Sequence, residues 1–301
     1  MSRLGVALSL TARALRRVKH LGPSRLDPLR RGLPVLLHLP PHFALTRLLS
    51  DSRLAPLVEQ RGRLLYKYIW PYLLRRLDRA QRLDALMTHY AFIAGHAPAL
   101  VPRLVDGPHT LWETKADDMR FAVTLGVARL PDAEGEMELT VRADERAIFH
   151  ISFSIVRGAI AGLPDAHVLL VGSVQGMPRE LALIRRATRA CGDVALGKLL
   201  MDAAVEVAGA LGLAHVVGVS DVEHVSRRMD PHSWFNFDYD AFWESLHAER
   251  RDALYVLPVD QPLADSPQLD RAHRNRSRGR HRQRRAMRAA VRERVGELLR
   301  G

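Results

Sequence analysis

The sequence contains a single cysteine, Cys191, so no disulfide can form within the chain; this fits a reducing compartment. It also lacks a long apolar run. The most apolar N-terminal stretch, Leu33 to Leu49, is interrupted by Pro34, Pro40 and Pro41, which leaves no segment long enough to span a bilayer as a helix. Aromatic residues make up only 6%, and residues 271–301 contain none. An arginine-rich tail without aromatics can contact phosphates but cannot stack on bases, which argues against sequence-specific nucleic-acid recognition. Arg3 precedes the apolar Leu4–Leu10, as in a secretory leader. That run is short, however, and Arg13, Arg16 and Arg17 stand where cleavage would fall, so the sequence predicts no cleaved leader.

What is present is charge, unevenly placed. The net charge of +12 divides into three parts. Residues 1–90 hold 17 Lys and Arg against 5 Asp and Glu, residues 91–270 hold 16 against 26, and residues 271–301 hold 12 against 2. The parts are therefore +12, −10 and +10, an acidic middle between two basic ends. The ends either fold onto that middle or reach an external polyanion, such as an anionic membrane surface or a phosphorylated ligand. The default expectation is self-docking, with which membrane binding must compete.

Hydrophobic periodicity predicts three regions: a helical 1–107, a mixed α/β core over 108–262, and a basic tail with an amphipathic helix over 263–301. The fold class is α+β. Residues 4–18 form a basic amphipathic pattern, and residues 62–95 repeat apolar residues at helical spacing from Leu65 to Ile93, with Pro71 starting or kinking a helix. After Pro108 the period shortens. Segments at 121–127, 138–142 and 147–156 read as an antiparallel meander, and 167–176 as a buried strand. Residues 178–190 and 196–211 read as helices, the second with Lys198, Asp202 and Glu206 as a stripe opposite its apolar face. His215–Ser220 and Leu254–Val259 complete the strands, residues 221–250 read as irregular, and Asp260–Pro267 as a linker. The tail is polar to Arg285, followed by a short helix from Met287 to Leu299.

Strand ends in α/β sheets are where ligands bind, so His224 and Glu223, just beyond the strand ending at Ser220, are candidate general bases. An equally weighted reading makes Asp221 a helix cap and His224 a satisfied histidine. Gln175 and Gly176 either line a pocket or close a turn. The block Tyr239-Asp240-Ala-Phe-Trp243-Glu244 joins packing aromatics to carboxylates that can hold arginines or place a substrate amine. His215, His224 and His232 lack a metal-ligand spacing, and Cys191 lacks the surroundings of an activated thiolate.

Several of these strings resemble the VirK/YbjX family of bacterial proteins. They are Val171-Gly-Ser-Val-Gln-Gly176, the Val219-Ser220 strand end with His224, the Tyr239–Glu244 block, and Arg82-Leu83 with Leu86, His89 and Tyr90. The resemblance covers about residues 60–300. It departs from the family pattern at Ala187–Cys191, where a Thr-Lys and a downstream His-Gly would be expected. It implies a bacterial protein in a family linked to virulence and resistance to antimicrobial peptides, with no settled activity. The cysteine usage and the lack of an apolar span lead us to expect a cytoplasmic protein whose basic ends can place it peripherally on the inner membrane. The element order over 120–260 is also similar to the core of the GCN5-related acyltransferases. That likeness implies an acyl-CoA site, with Gly192–Gly197 as the loop for its pyrophosphate at a helix N-terminus, although the usual Gln/Arg-x-x-Gly-x-Gly/Ala cradle is absent and a helix is inserted between strand and loop; the alternative is an α/β domain with no acyl-CoA site. With such a site, Gly197, Ser220 and the block at 239–244 fall near the cofactor or a small-molecule substrate. The other reading is a non-catalytic adaptor that uses its basic ends on membranes or partners.

Overall fold

A computed structural model describes residues 39–116, 118–129, 133–226, 237–260 and 271–300. The amphipathic pattern at 4–18, His232 and the linker at 261–267 lie outside the described residues.

The N-terminal part is helical: α1 (Leu39–Leu49), α2 (Ala55–Gln60), a 3₁₀ helix (Gly62–Ile69), α3 (Arg79–His96) and α4 (Leu100–Leu104). Helical periodicity across 62–95 overran a break. The helix does not restart at Pro71 but at Arg79, because Asp78 supplies a capping box: its Oδ1 accepts from Gln81 N–H at 2.8 Å, and Gln81 Oε1 accepts from Asp78 N–H at 2.9 Å. Between them, residues 70–78 form an irregular segment with Leu73 at φ 59°.

Strands β1 (His109–Ala116), β2 (Met119–Val127), β3 (Met137–Ala143), β4 (Arg146–Val156), β5 (Val168–Gly176), β6 (His215–Val219), β7 (Glu249–Arg251) and β8 (Leu254–Pro258) make one sheet in the order β1-β2-β3-β4-β5-β6-β8-β7. All neighbours are antiparallel except β5 and β6. The expected meander is present, and β1 and β7 extend it at the edges. β1 has an irregular register with β2 and β7 is only three residues long, so neither carries the period-two signal of a regular strand.

Between β5 and β6 lie α5 (Leu181–Ala190) and α6 (Leu196–Ala210); α7 (Tyr239–Glu244) follows β6, within the stretch expected to be irregular. Helix α8 (Arg271–Arg300) closes the chain. It is 30 residues long where the sequence pattern marked only a short helix from Met287, because the preceding arginine-rich residues carry no apolar period.

Register shows how the sheet faces divide. The rows Val123–Val141–Phe149 and Leu125–Leu139–Ile151–Val174 share one face. Helix α6 lies there, with Val174 Cγ1 3.6 Å from where a Cβ on Gly197 would stand. Asp202 and Glu206 do not face solvent: α8 covers them. Arg284 grips Asp202 bidentately (Nε–Oδ2 2.6 Å, Nη2–Oδ1 2.8 Å), and Glu206 takes Arg288 and, at 2.7 Å, Arg292. Met287, Val291, Val295 and Leu298 are fully buried alongside. The basic tail thus docks on the acidic middle of its own chain through α8. Buried side chains form one continuous cluster from Leu45 to Leu298.

Candidate functional site

The second sheet face is polar. Thr124, Thr140, His150 and Gln175 form one row across four strands, with Glu138, Ser152 and Ser173 in the next. Alternation of this kind ordinarily places the polar face in water. Here Thr124, Glu138, Thr140, Ser152 and Ser173 are buried. Burying hydroxyls and carboxylates is costly unless they are hydrogen-bonded, which makes the partners on this face the place to look for a site.

Its focus is where β5 leaves β6. The two strands pair only at Leu169–Val216, Leu170–Val217 and Val171–Gly218. A bulge at Gly172 then carries β5 onward beside β4 alone. A Cβ on Gly172 would overlap the carbonyl oxygen of Glu134, so glycine is required for the β2–β3 connection to cross at this point. That crossing sets the Glu134 carboxylate over the strand end. Gln175 Nε2 donates to Glu134 Oε2 at 3.1 Å and to Ser173 Oγ at 2.8 Å, and Ser226 Oγ donates to Glu134 Oε1 at 2.7 Å.

His224 completes the group. Its Nδ1 accepts from Ser226 N–H at 3.3 Å, which puts the ring proton on Nε2, 3.6 Å from Glu134 Oε1. Tyr239 packs against the ring with centroids 4.6 Å apart, and its hydroxyl accepts from Val174 N–H at 3.1 Å, a strand-end donor that β6 leaves open. Helix α7 presents Tyr239 because Asp238 caps it and Asp221 and Asp240 exchange contacts with the turn (Tyr239 N–H to Asp221 Oδ1 3.4 Å, Asp221 N–H to Asp240 Oδ1 3.3 Å). Burial raises the Glu134 carboxyl above its usual range, partly opposed by the Ser226, Ser173 and Gln175 hydrogen bonds. Burial, reinforced by the Glu134 charge, raises the Tyr239 phenol, which keeps its proton.

Gln175, His224 and Tyr239 are therefore brought together, with Glu134 joining them. Glu223 points elsewhere: its carboxylate accepts from Arg76 N–H at 3.2 Å, and its carbonyl from Arg75 N–H at 2.8 Å, tying the 70–78 segment across the strand end. Ser220 is buried just beyond the end of β6, and its hydroxyl has no hydrogen-bond partner among the described residues. Trp243 is structural, donating Nε1–H to Val219 O at 2.8 Å and covering Gly218. Gly176 packs on Phe149 and Ile184, Gly197 packs on Phe242, and Glu244 is exposed.

His89 and Tyr90 belong to a second buried group. Tyr90 and Lys67 both reach Glu136 at 2.5 Å, and Tyr72 meets Ser154 at 3.1 Å. His89 Nδ1 accepts from Ile155 N–H at 3.1 Å, and burial, followed by the Lys67 charge, pushes its pKa down to about 3. Below pH 6.5 the unfolded chain binds a proton here that the folded chain refuses, so stability falls as pH drops from 6.5 towards 3. His89→Asn, which keeps an acceptor, is expected to remove about 2 kcal/mol of the loss between neutrality and about pH 5. Denaturant titrations of both proteins at the two pH values measure it; an unchanged difference would refute the assignment.

Glu134, Ser173 and Ser226 were not singled out in the sequence. Glu134 sits in an ordinary turn string, and its only signal is spatial, the crossing at Gly172. Together the fold and site define an α+β protein with an acid–histidine pair buried at a strand divergence. A family described as "Protein of unknown function (DUF535)" matches residues 36–295, and the chain belongs to it. It is also 26% identical to "Uncharacterized protein YbjX" of Escherichia coli (strain K12), over 77% of this chain and 70% of that one, in keeping with the VirK/YbjX resemblance. No solved structure matches. No helix among the described residues is long and apolar enough to cross a membrane.

Proposed function

We propose that the protein is an acyl-CoA-dependent acyltransferase whose reacting groups meet where β5 and β6 diverge. The observation that carries this reading is the coincidence of three features at one place: the parallel pair that separates after three residues, the Gly172 bulge, and the buried Glu134–His224–Tyr239 group. An acceptor amine attacking the thioester carbon loses its proton to Glu134, the carboxylate that burial has made more basic. Gln175 and Ser226 orient that carboxylate through hydrogen bonds, and His224 Nε2 stands 3.6 Å from it, within ion-pair distance. As the C–S bond breaks, the departing thiolate takes the proton that Tyr239 retains. Two features differ from the acyltransferase cores that the element order resembles: α5 is inserted between β5 and α6, and the first turn of α6 is packed, with Leu196 and Gly197 buried against neighbours that include Phe242.

Calorimetry and thermal melting with CoA and acetyl-CoA test the reading. Ligand at about 100 times its Kd adds about 2.7 kcal/mol, or roughly 5 °C or more in Tm. No saturable shift with either compound would remove it. The adaptor alternative has less to draw on from α8, since the helix's apolar face is buried on its own chain.

A further inference from the structure

The stretch of chain that carries the Glu134 carboxylate is gripped from two sides. Glu134 itself meets β5 and the turn after β6, through Gly172, Gln175 and Ser226. Its neighbours in the chain are taken by the N-terminal helices and the segment that joins them. Leu73 N–H donates to Ala133 O at 2.8 Å. Lys67 Nζ, in the last turn of the 3₁₀ helix, donates to Gly135 O at 3.2 Å and to Glu136 Oε1 at 2.5 Å. Tyr90 of α3 donates to Glu136 Oε2, and Glu136 N–H donates to Ser154 Oγ, which Tyr72 also contacts. Gly135 lies so close to β4 that a Cβ there would overlap the Phe153 backbone, so the connection cannot shift towards the sheet.

This arrangement is costly. Lys67 and Glu136 are 7% and 2% exposed, and an apolar pair of similar volume would fill the space without desolvating two charges. Leu73 makes its contact from a left-handed φ of 59°, a conformation that a bulky residue keeps only when its surroundings impose it. We infer that Lys67, acting with Tyr90 and Leu73, is a positioning residue that holds the Glu134 carboxylate over the end of β5. The buried ion pair fixes the path of residues 133–136, with Glu136 turned to the helical layer and Glu134 to Gln175 and Ser226. The inference rests on the reading of Glu134 as the group that takes the acceptor's proton; the helical region then serves the chemistry from a distance.

The test is an NMR titration of the Glu134 carboxyl carbon in the full chain, its resonance assigned by its loss in Glu134→Gln. Lys67→Met/Glu136→Gln removes one charge of each sign, so neither is stranded, and it leaves Tyr90 an amide oxygen to donate to. Met287→Ala opens a cavity under α8 and loosens the fold away from the connection. The native carboxyl titrates above the ordinary glutamate value because it is buried. In the double variant the connection relaxes, the carboxylate reaches water, and its midpoint falls back towards 4.5; in Met287→Ala it stays at the native value. Tyr90→Phe, which leaves the ion pair in place, gives a smaller fall and stands in should the double variant not fold. A midpoint unchanged in both variants, or lowered equally by Met287→Ala, would overturn the inference. With acyl-CoA and an amine, the double variant is expected to lose about 100-fold in kcat while KM for the amine stays within about 3-fold. A lowered midpoint with unchanged kcat would keep the clamp and remove Glu134 as the base. A native protein without turnover would remove the acyl-CoA reading, and the titration would still decide whether Lys67 positions Glu134.

Discussion

A chain ending at Gln283 is expected not to fold. Removing the rest of α8 uncovers the surface against which Met287, Val291, Val295 and Leu298 are buried. Four such side chains are worth about 6–12 kcal/mol together, comparable with the whole stability of an ordinary domain. The truncation also strips Asp202 and Glu206 of their guanidinium partners while they still sit on a packed helix. Glu206→Ala isolates the electrostatic part, since it strands the half-buried Arg288; about 3 kcal/mol of destabilisation is expected. Circular dichroism melts decide the matter. A truncated chain that melts cooperatively at the native temperature would mean that α8 is an appendage.

Glu134→Gln should divide the chemistry from the fold. If Glu134 takes the acceptor's proton, turnover of acyl-CoA with an amine falls about 10²–10⁴-fold, read as thiol release. Stability is expected to move the other way. The folded pKa of Glu134 lies above its ordinary value, so the fold favours the protonated form. That favour is complete below the unfolded value and is lost as pH rises through the folded one. The glutamine variant, which keeps polar contacts with Gln175 and Ser226 but carries no charge, should therefore gain on the native protein as pH climbs above about 4.5. A parallel loss of activity and Tm at high pH would make Glu134 a structural residue.

How much of this was legible in the sequence follows from range. Local periodicity gave the meander, the buried strands, α6 and the α+β class, because each depends on neighbours two to four residues away. The charge count anticipated that the tail would dock on the acidic middle, although the partners Asp202 and Glu206 were placed on a polar stripe; only the packing of α8 shows that stripe to be covered. The site was half legible. Gln175, His224 and Tyr239 stood at strand and helix ends where ligands gather. Glu134 was invisible because its position depends on a bulge nearly forty residues further along the chain. Glu223, Gly197 and Glu244 had suitable chemistry or neighbours in sequence, but their side chains or backbone go to Arg76, to Phe242 and to solvent.

The docking of α8 also bears on how the chain is made. Helix α8 begins 60 residues after α6 ends (residues 211–270 lie between them), so at ordinary translation rates of about 5–20 residues per second its synthesis starts about 3–12 s later. Throughout that interval the partner surface of α6 is complete but uncovered. An entirely apolar surface there would invite other nascent chains to stick. Asp202 and Glu206 put two charges on that surface before the arginines arrive to neutralise them, and charges within an apolar surface disfavour aggregation.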